Sequence, residues 1–327
     1  MAEGRRLLER WSGVLVLLIL WAGLALATPR FLTPSNLLNV ALQSSILAVV
    51  AMGMTATILS GGIDLSVGSV MAFTGALAAG LMVWNGWPVA AAMAIALGAG
   101  LALGALNGAL VVYGRLAPFI ATLSTMAIAR GLTLVYTRGY PIAGLPDPFT
   151  ALGTGHLLGV PMPVVIMAGV AVVVGFLLRR TPWGLHLYAV GGGEDLAWLS
   201  GVRVPWIKGS VYLLSGLLAA LGGLLLTARL WSAQPNVGLG LELEAITASV
   251  LGGARLSGGY GGVGGTLIGA LVMGTVSNGL NLLEVPSYHQ QVIKGLVFIM
   301  AVGLDRLLKT GPLPSATASP LRRREGR

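Results

Sequence analysis

Ionisable side chains are rare within the long apolar stretches of this sequence, so each of them is a candidate for chemistry. Asp64 lies in LSGGIDLSVGSVMAF, a segment that begins at Leu59 and separates two apolar runs. A carboxylate in hydrocarbon is energetically costly and often marks a functional position. An aspartate before a helix can also accept hydrogen bonds from the free N–H groups of its first turn. We therefore expect Asp64 either to cap the following helix or, together with Ser66, to line a polar pathway.

Arg130, in MAIARGLTLVY, is a basic residue inside an apolar run. It lies a few residues before the end of that run, so its long side chain can extend towards the membrane interface. The alternative is an ion pair within a helix bundle, with Asp64 or Glu244 as the partner. The intramembrane amides either hydrogen-bond between helices or contact a polar solute, and they are Asn107, Asn278 and Asn281.

Polar residues also gather in WSAQPNVGLGLELEAI, from Trp231 to Ile246. One interpretation is a solvated loop. The other is a gate or re-entrant segment, because irregular backbone at membrane depth persists only where it lines a cavity or is buried in protein. The candidate gate residues in this segment are Gln234, Asn236, Glu242 and Glu244.

Residue combinations typical of catalysis are missing from the sequence. The absence of cysteine excludes disulfides, thiolate metal sites and cysteine nucleophiles. No lysine follows a glycine, so the phosphate-binding loop G-x-x-x-x-G-K-[ST] is also absent. The histidines lie far apart, without metal-ligand spacing, at His156, His186 and His289. We therefore predict no catalytic residue, no metal site, no cofactor bound by this chain and no ATP hydrolysis by the chain itself.

The composition predicts the elements that must hold these residues. Of the 327 residues, 55% are hydrophobic and only 9% are charged, whereas soluble domains are about 25% charged. Apolar runs of about 20 residues, long enough to cross a bilayer as helices, recur along the chain. We predict an all-α polytopic membrane protein with about ten transmembrane helices, near residues 11–28, 37–59, 65–84, 88–112, 118–136, 161–178, 207–227, 244–254, 263–283 and 289–308.

Positive charges predict the orientation of these helices. The net charge of +9 could indicate nucleic-acid binding in a soluble protein, but here the basic residues concentrate in one loop and at both ends. Because cytoplasmic loops are enriched in Lys and Arg, both termini and the loop 179–209 are expected inside. We predict a transmembrane domain over 1–310 and a disordered basic cytoplasmic tail over 311–327.

A short motif occurs twice. LSGGIDLSVGSVMAF from Leu59 is echoed by LSGGYGGVGGTLIGA from Leu256, and each copy leads into an apolar run. Repeated halves with interrupted helices are typical of transporters. On a count of ten helices the two copies are parallel, and a miscount by one would make them inverted. The glycines predicted to act as hinges are Gly61, Gly62, Gly68, Gly258, Gly259 and Gly265.

The loop 179–209 contains EDLAWLSG after three consecutive glycines. Its pattern predicts a short helix with acidic residues in the first turn and an apolar face. Such a helix either lies on the membrane surface or docks onto another protein. The residues of this candidate docking helix are Glu194, Asp195, Leu196, Ala197, Trp198, Leu199, Ser200 and Gly201.

With these features in place, the sequence resembles the permease subunits of ATP-binding-cassette importers for ribose and related monosaccharides. SGGIDLSVGSVMAFTGALAA resembles the family's signature, and the resemblance extends from about Phe31 to Leu308. Gly193, Leu196 and Trp198 depart from the residues usual in its cytoplasmic helix. Further blocks occur in the family's order: GRLAPFIATL, ARGLTLVYTRG, LYAVGGGEDLAWLSGV, SAQPNVGLGLELEAITASVLGGARLSGGYGG, GTLIGAL and NGLNLLEVPSYHQQVIKG.

The resemblance implies a permease in the bacterial inner membrane, surrounded by lipid, with no nucleic-acid partner. The implied partners are a second permease copy, in a homodimer or heterodimer, two cytoplasmic ATPase domains and an extracytoplasmic sugar-binding protein. ATP and Mg²⁺ would bind to the ATPases, and residues 194–201 would form the helix that couples them to the permease. Nucleosides or signalling sugars are alternative substrates. A stand-alone channel or secondary transporter is the alternative class.

Overall fold

The computed structural model describes the chain from residue 2 to residue 309, with side chains from residue 13 to residue 303. The predicted tail 311–327 lies outside the described residues, as do the side chains of the terminal basic residues Arg5, Arg6 and Arg10. Helices account for most of the described chain. They are α1 (Ala2–Ala27), α2 (Pro34–Leu59), α3 (Val67–Val83), α4 (Val89–Val112), α5 (Pro118–Thr137), α6 (Asp147–Thr154), α7 (Met162–Arg180), α8 (Pro182–Gly192), α9 (Glu194–Leu199), α10 (Val204–Leu230), α11 (Leu241–Leu251), α12 (Val263–Leu282) and α13 (Ser287–Lys309).

Each of the ten predicted apolar spans coincides with a helix, which confirms a helical polytopic membrane protein. Within the described residues, six helices are long and apolar enough to cross a membrane: α2, α4, α5, α7, α10 and α12. Shorter apolar helices occur at Gly13–Ala27, within α1, and in α3. The short α11 corresponds to the predicted span 244–254 and begins three residues earlier than predicted.

The central helices are α2 and α10, and their buried faces form the main core. Helix α10 packs closely against α4 along a line of small residues. A Cβ atom at Gly104 would lie 2.4 Å from the carbonyl oxygen of Tyr212, and one at Gly216 would lie 2.3 Å from that of Gly100. Because lipid is as apolar as leucine, helices in membranes associate through such close backbone contact rather than through a hydrophobic driving force.

The long polar loop between α5 and α7 is more structured than the sequence predicts. It contains α6 and three of four two-residue strands, with β1 (Ile142–Ala143) pairing antiparallel with a later strand, β4 (Ser232–Ala233). The other two, β2 (His156–Leu157) and β3 (Val160–Pro161), form a small hairpin. The β1–β4 pair ties this loop to the segment that follows α10.

The loop 179–209 is shorter than predicted, because helices occupy most of it. Helix α8 had no counterpart in the prediction. It begins with Pro182 in its first turn, and the hydroxyl of Thr181 accepts a 3.4 Å hydrogen bond from the Gly184 N–H. This combination is a common helix start, because proline lacks the N–H that would otherwise be unpaired there.

Candidate functional site

The carboxylate of Asp64 is fully buried where α2 gives way to α3. Its Oδ1 accepts hydrogen bonds from the backbone N–H of Ser66 at 2.9 Å and from the Ser66 hydroxyl at 2.6 Å. Its Oδ2 accepts one from the Ser215 hydroxyl of α10 at 2.7 Å. Asn107 of α4 donates to the Ser66 hydroxyl at 2.9 Å. One carboxylate therefore joins the α2–α3 junction to two other helices.

This geometry decides between the two interpretations of Asp64 only in part. The N-cap residue of α3 is Ser66, and its own side chain makes no capping hydrogen bond. Asp64 accepts the backbone N–H of Ser66, which lies just before the first turn of α3. Because its carboxylate is sealed from solvent, Asp64 holds the junction together in this conformation and does not border an opening.

The two copies of the LSGG motif are in direct contact. The Gly259 N–H donates a 3.0 Å hydrogen bond to the carbonyl oxygen of Leu59. Gly191, near the end of α8, lies against both copies, since a Cβ atom there would be 1.8 Å from the Leu59 carbonyl oxygen and 2.4 Å from the Gly259 nitrogen. The repeat found in the sequence therefore forms one three-way contact with the end of α8.

The predicted hinge glycines fall into two groups. Gly61, Gly258 and Gly259 adopt positive φ angles, a conformation that glycine allows at no steric cost. The others allow close packing instead: a Cβ atom at Gly62 would meet the Tyr212 hydroxyl, one at Gly68 would meet Gly238, and one at Gly265 would meet Gly252.

The predicted docking helix is present as α9, only two residues after α8 ends. Its side chains Leu196, Trp198 and Leu199 are 70%, 67% and 72% exposed, whereas Ala197 is buried. The carboxylate of Glu194 forms an ion pair with Lys208 at 2.5 Å, which ties the start of α9 to α10. The other residues of the candidate, Asp195, Ser200 and Gly201, are exposed. A surface of three large apolar side chains on a short helix is suited to protein contact.

The segment between α10 and α11 is held by Arg130 of α5. The guanidinium Nη1 donates to the carbonyl oxygens of Pro235 at 2.7 Å and Val237 at 3.0 Å. The alternative ion pair with Asp64 or Glu244 is not formed, because this guanidinium hydrogen-bonds to irregular backbone, Asp64 to Ser66 and Ser215, and Glu244 to Lys294. Gly238 lies directly against Gly68 in the first turn of α3. Contact with two helices favours the re-entrant interpretation of this segment over a solvated loop.

The remaining polar residues of this segment differ in their surroundings. Gln234 donates to the Ser232 hydroxyl at 2.9 Å, and Asn236 is exposed. The Glu242 carboxylate is half-buried beside Gly68. Glu244 forms an ion pair with Lys294 of α13 at 2.8 Å. Sequence reasoning did not identify Lys294 as a site residue, although a lysine five residues into the predicted span 289–308 was an available signal.

The other intramembrane amides hydrogen-bond between structural elements. Asn278 of α12 donates to Asn36 of α2 at 2.8 Å, and Asn36 donates back at 3.0 Å. Asn281 accepts a hydrogen bond from Gln290 of α13 at 2.9 Å. These pairs support the interhelical interpretation of both residues, and they fix α12 against its neighbours.

The arrangement fits a moving helical assembly better than a reaction centre. Buried polar contacts hold the α2–α3 junction, and the end of α8, just before the apolar docking helix, contacts both LSGG copies. Among the residues whose side chains are described, no group of three His, Asp or Glu side chains could hold a metal ion. The fold and site thus define a polytopic membrane protein built around interrupted helices, which is a transporter architecture.

Comparison with known proteins gives the family. Residues 36–302 match the family described as the branched-chain amino acid transport system permease component. A ribose import permease of Bacillus subtilis is 50% identical over 90% of this chain and 91% of its own. A ribose import permease of Haemophilus influenzae is 46% identical over 95% of this chain and 97% of its own. A D-allose transport system permease of Escherichia coli is 39% identical, with 92% of each chain covered. No solved structure matches the chain significantly.

The chain belongs to this family of transport permeases. It is a membrane-embedded transport subunit rather than an enzyme, which confirms the class that the sequence motifs predicted.

Proposed function

We propose that the chain forms the translocation path of an importer for ribose or a closely related pentose or hexose. ATP hydrolysis on separate subunits would drive the transport. The observation that carries this proposal is near 50% identity to ribose import permeases along almost the whole chain. Identity to the D-allose permease is lower, at 39%. Since the family also includes permeases named for amino acids, the substrate follows from these individual relatives and not from the family.

The proposed topology has ten transmembrane helices, α1–α5, α7 and α10–α13, with both termini in the cytoplasm. Its support is the coincidence of each predicted span with a helix, together with the basic residues of the loop 179–209. In this orientation α8, α9 and both LSGG copies lie on the cytoplasmic side. The α6 region and the β1–β4 pair lie outside, where a sugar-binding protein would dock.

The proposed mechanism is alternating access driven through α9. Two ATPase domains would hold the α9 helices of two permease copies and pull them together when ATP binds. Motion of α9 would pass to Gly191, which touches Leu59 and Gly259 and hence both broken-helix junctions. Opening at these junctions would change which side of the membrane the path faces. ATP and Mg²⁺ would be held entirely by the ATPases.

The path residues in this proposal lie on the segment after α10 and on α11, where Gln234, Asn236, Glu242 and Glu244 are located. Arg130 would position this segment as a gate through its two carbonyl contacts. Asp64, Ser66, Asn107, Asn278 and Asn281 would act by fixing the helices that frame the path. Specificity among sugars would rest mainly with the binding protein.

Deletion of the gene from its native host tests this function. The deletion strain should lose growth on ribose and uptake of [¹⁴C]ribose, and should grow normally on a sugar that enters by another route. Expression of the chain from a plasmid should restore both properties. Undiminished ribose uptake in the deletion strain would contradict the proposal, and a selective loss of uptake of a nucleoside would instead indicate that alternative substrate.

A further inference from the structure

A groove of about 580 Å³, lined by both polar and apolar side chains, lies between α11 and α13. Its volume is within the range of about 300–1,000 Å³ that is typical of small-molecule sites. The polar side chains that line it are Glu244 and Thr247 on α11, and Ser287, Gln290, Gln291 and Lys294 on α13. Apolar side chains, among them Phe298, complete the lining.

The groove lies between two packed helices, and its Lys294 ammonium reaches across to Glu244 on α11 instead of extending towards the membrane interface. Lys294 is seven residues into α13, which at a rise of about 1.5 Å per residue places it about 10 Å from the start of the helix. Ionisable side chains at such a depth face a water-filled cavity or the interior of a bundle, because hydrocarbon cannot solvate them. Glu244 and Lys294 remain 23% and 25% exposed in the side chain. Their pair therefore borders the groove instead of being sealed beneath it.

The polar groups of the groove retain capacity for a ligand. The Lys294 ammonium has three N–H bonds and donates one of them to Glu244 at 2.8 Å. Both amide protons of Gln290 are used, one on Asn281 and one on the carbonyl oxygen of Val285, each at 2.9 Å. Those bonds fix the amide and leave its carbonyl oxygen as an acceptor. The groove thus offers ammonium donors, carboxylate and amide acceptors, and the exposed amide of Gln291.

This set of groups matches a neutral polyhydroxylated ligand. Each sugar hydroxyl can donate and accept, so it can bond to the ammonium, the carboxylate or an amide. The paired charges sum to zero, so the groove offers no net attraction to a free anion or cation. Phe298 and its apolar neighbours provide a surface for the C–H faces of a sugar ring.

We propose that Glu244, Lys294, Gln290 and Gln291 form a sugar-binding site in the translocation path. In this proposal the Glu244–Lys294 pair makes the site selective for uncharged polyols. The inference rests on the proposed function and deepens it. It assigns to Lys294 and the two glutamines of α13 a contact with the transported sugar.

The test is uptake of [¹⁴C]ribose into proteoliposomes that contain the purified permease with its ATPase and sugar-binding protein. The permease variants are Gln291→Leu and the double variant Glu244→Gln/Lys294→Met, which removes both charges and leaves none uncompensated. His289→Leu is the matched control, because His289 is exposed on the same helix and outside the groove. Ribose transported per ATP hydrolysed is the readout, since a purely structural defect would lower both quantities together.

We expect Gln291→Leu to lower ribose transported per ATP about threefold, and the double variant to lower it about tenfold, as hydroxyl contacts to one neutral and to two charged groups are lost. The control should stay within about 1.5-fold of the wild type, which is below the effect of one lost hydrogen bond. Because Gln291 is exposed, its variant folds whether or not the double variant does. If Gln291→Leu transports as much ribose per ATP as the wild type, this inference is overturned and the proposed function stands. If the wild-type complex transports no ribose at all, both the inference and the proposed function are overturned.

Discussion

The backbone N–H of Gly259 donates a hydrogen bond to the carbonyl oxygen of Leu59 at 3.0 Å, and so joins the two copies of the LSGG motif. Gly191, three residues before the start of α9, packs against both partners of this bond. The end of α8, which leads into α9, therefore contacts both LSGG copies through backbone atoms. In the proposed mechanism, a displacement of α9 would reach the end of α2 and the segment before α12 through this contact.

Replacement of Gly191 by leucine tests this contact. The new Cβ atom would lie 1.8 Å from the Leu59 carbonyl oxygen, so the junctions must separate, at a cost of at least about 1–3 kcal/mol. We expect the variant to lose stimulation of ATP hydrolysis by the sugar-binding protein. The control is Gly192→Leu, because nothing lies within 4 Å of a Cβ atom at Gly192. Equal effects of the two substitutions would show that the contact has no special role.

Leu199→Asp tests the docking surface of α9. Leu199 is 72% exposed, so an aspartate there should not disturb the fold of the isolated permease. We expect the variant to enter the membrane normally but to lose co-purification with the ATPase, because a charge replaces part of an apolar contact. Gly201 is a poorer choice, since its φ of +83° would strain any replacement.

The matched control for Leu199→Asp is Leu158→Asp. Leu158 is 97% exposed and lies in the loop predicted to be outside the cell. The Leu158→Asp substitution should leave binding of the ATPase to the permease intact. Full retention of the ATPase by Leu199→Asp would remove α9 from the coupling mechanism.

Substitutions of Asp64 separate its structural role from a direct role in transport. Asparagine keeps an acceptor for the Ser66 N–H, and the Ser215 hydroxyl can reverse to accept from the new amide. Leucine leaves these buried groups unpaired, at about 1–3 kcal/mol each. We expect Asp64→Asn to unfold near the wild-type temperature and Asp64→Leu well below it, as measured by circular dichroism in detergent. A stable asparagine variant that fails to transport would assign Asp64 to the path instead.

Arg130→Met should loosen the segment between α10 and α11. The variant loses both hydrogen bonds to the carbonyl oxygens of Pro235 and Val237, while lysine can keep one of them. Hydrogen–deuterium exchange over residues 234–240 should therefore be fastest in Arg130→Met and intermediate in Arg130→Lys. Arg138→Met, at the end of the same helix, is the control. Unchanged exchange in Arg130→Met would mean that other contacts hold the segment.

The sequence predicted the spans well because hydrophobic length is a strong signal in a membrane protein. Each predicted span has its helix, and the short helix in EDLAWLSG is present as α9. Helix α8 was missed because PWGLHLYAVGG is apolar but too short to span, and glycine at its end obscures the pattern. The β1–β4 pair could not be predicted, since two residues carry no periodicity and the strands are far apart in sequence.

The site was predicted less completely than the fold. The repeated motif located both junctions, but only the structure places Gly191 between them. A close backbone contact requires a glycine, and the sequence does not show which of its glycines makes one. Arg130 was expected to extend towards the membrane interface, with an ion pair as the alternative, yet its hydrogen-bond partners are the backbone carbonyl oxygens of Pro235 and Val237. Backbone carbonyls occur at every position, so the sequence could not single these two out. Glu244 was identified and its partner Lys294 was not, since the pairing depends on how α11 and α13 meet.

The most direct measurement is the uptake of [¹⁴C]ribose by sealed proteoliposomes that contain this permease, its ATPase and its sugar-binding protein. Uptake against a concentration gradient should require ATP on the ATPase side and the binding protein on the opposite side. It should persist when ion gradients are collapsed. Accumulation that continues without ATP and follows an ion gradient would contradict the assignment to an ATP-driven importer and would favour a secondary transporter.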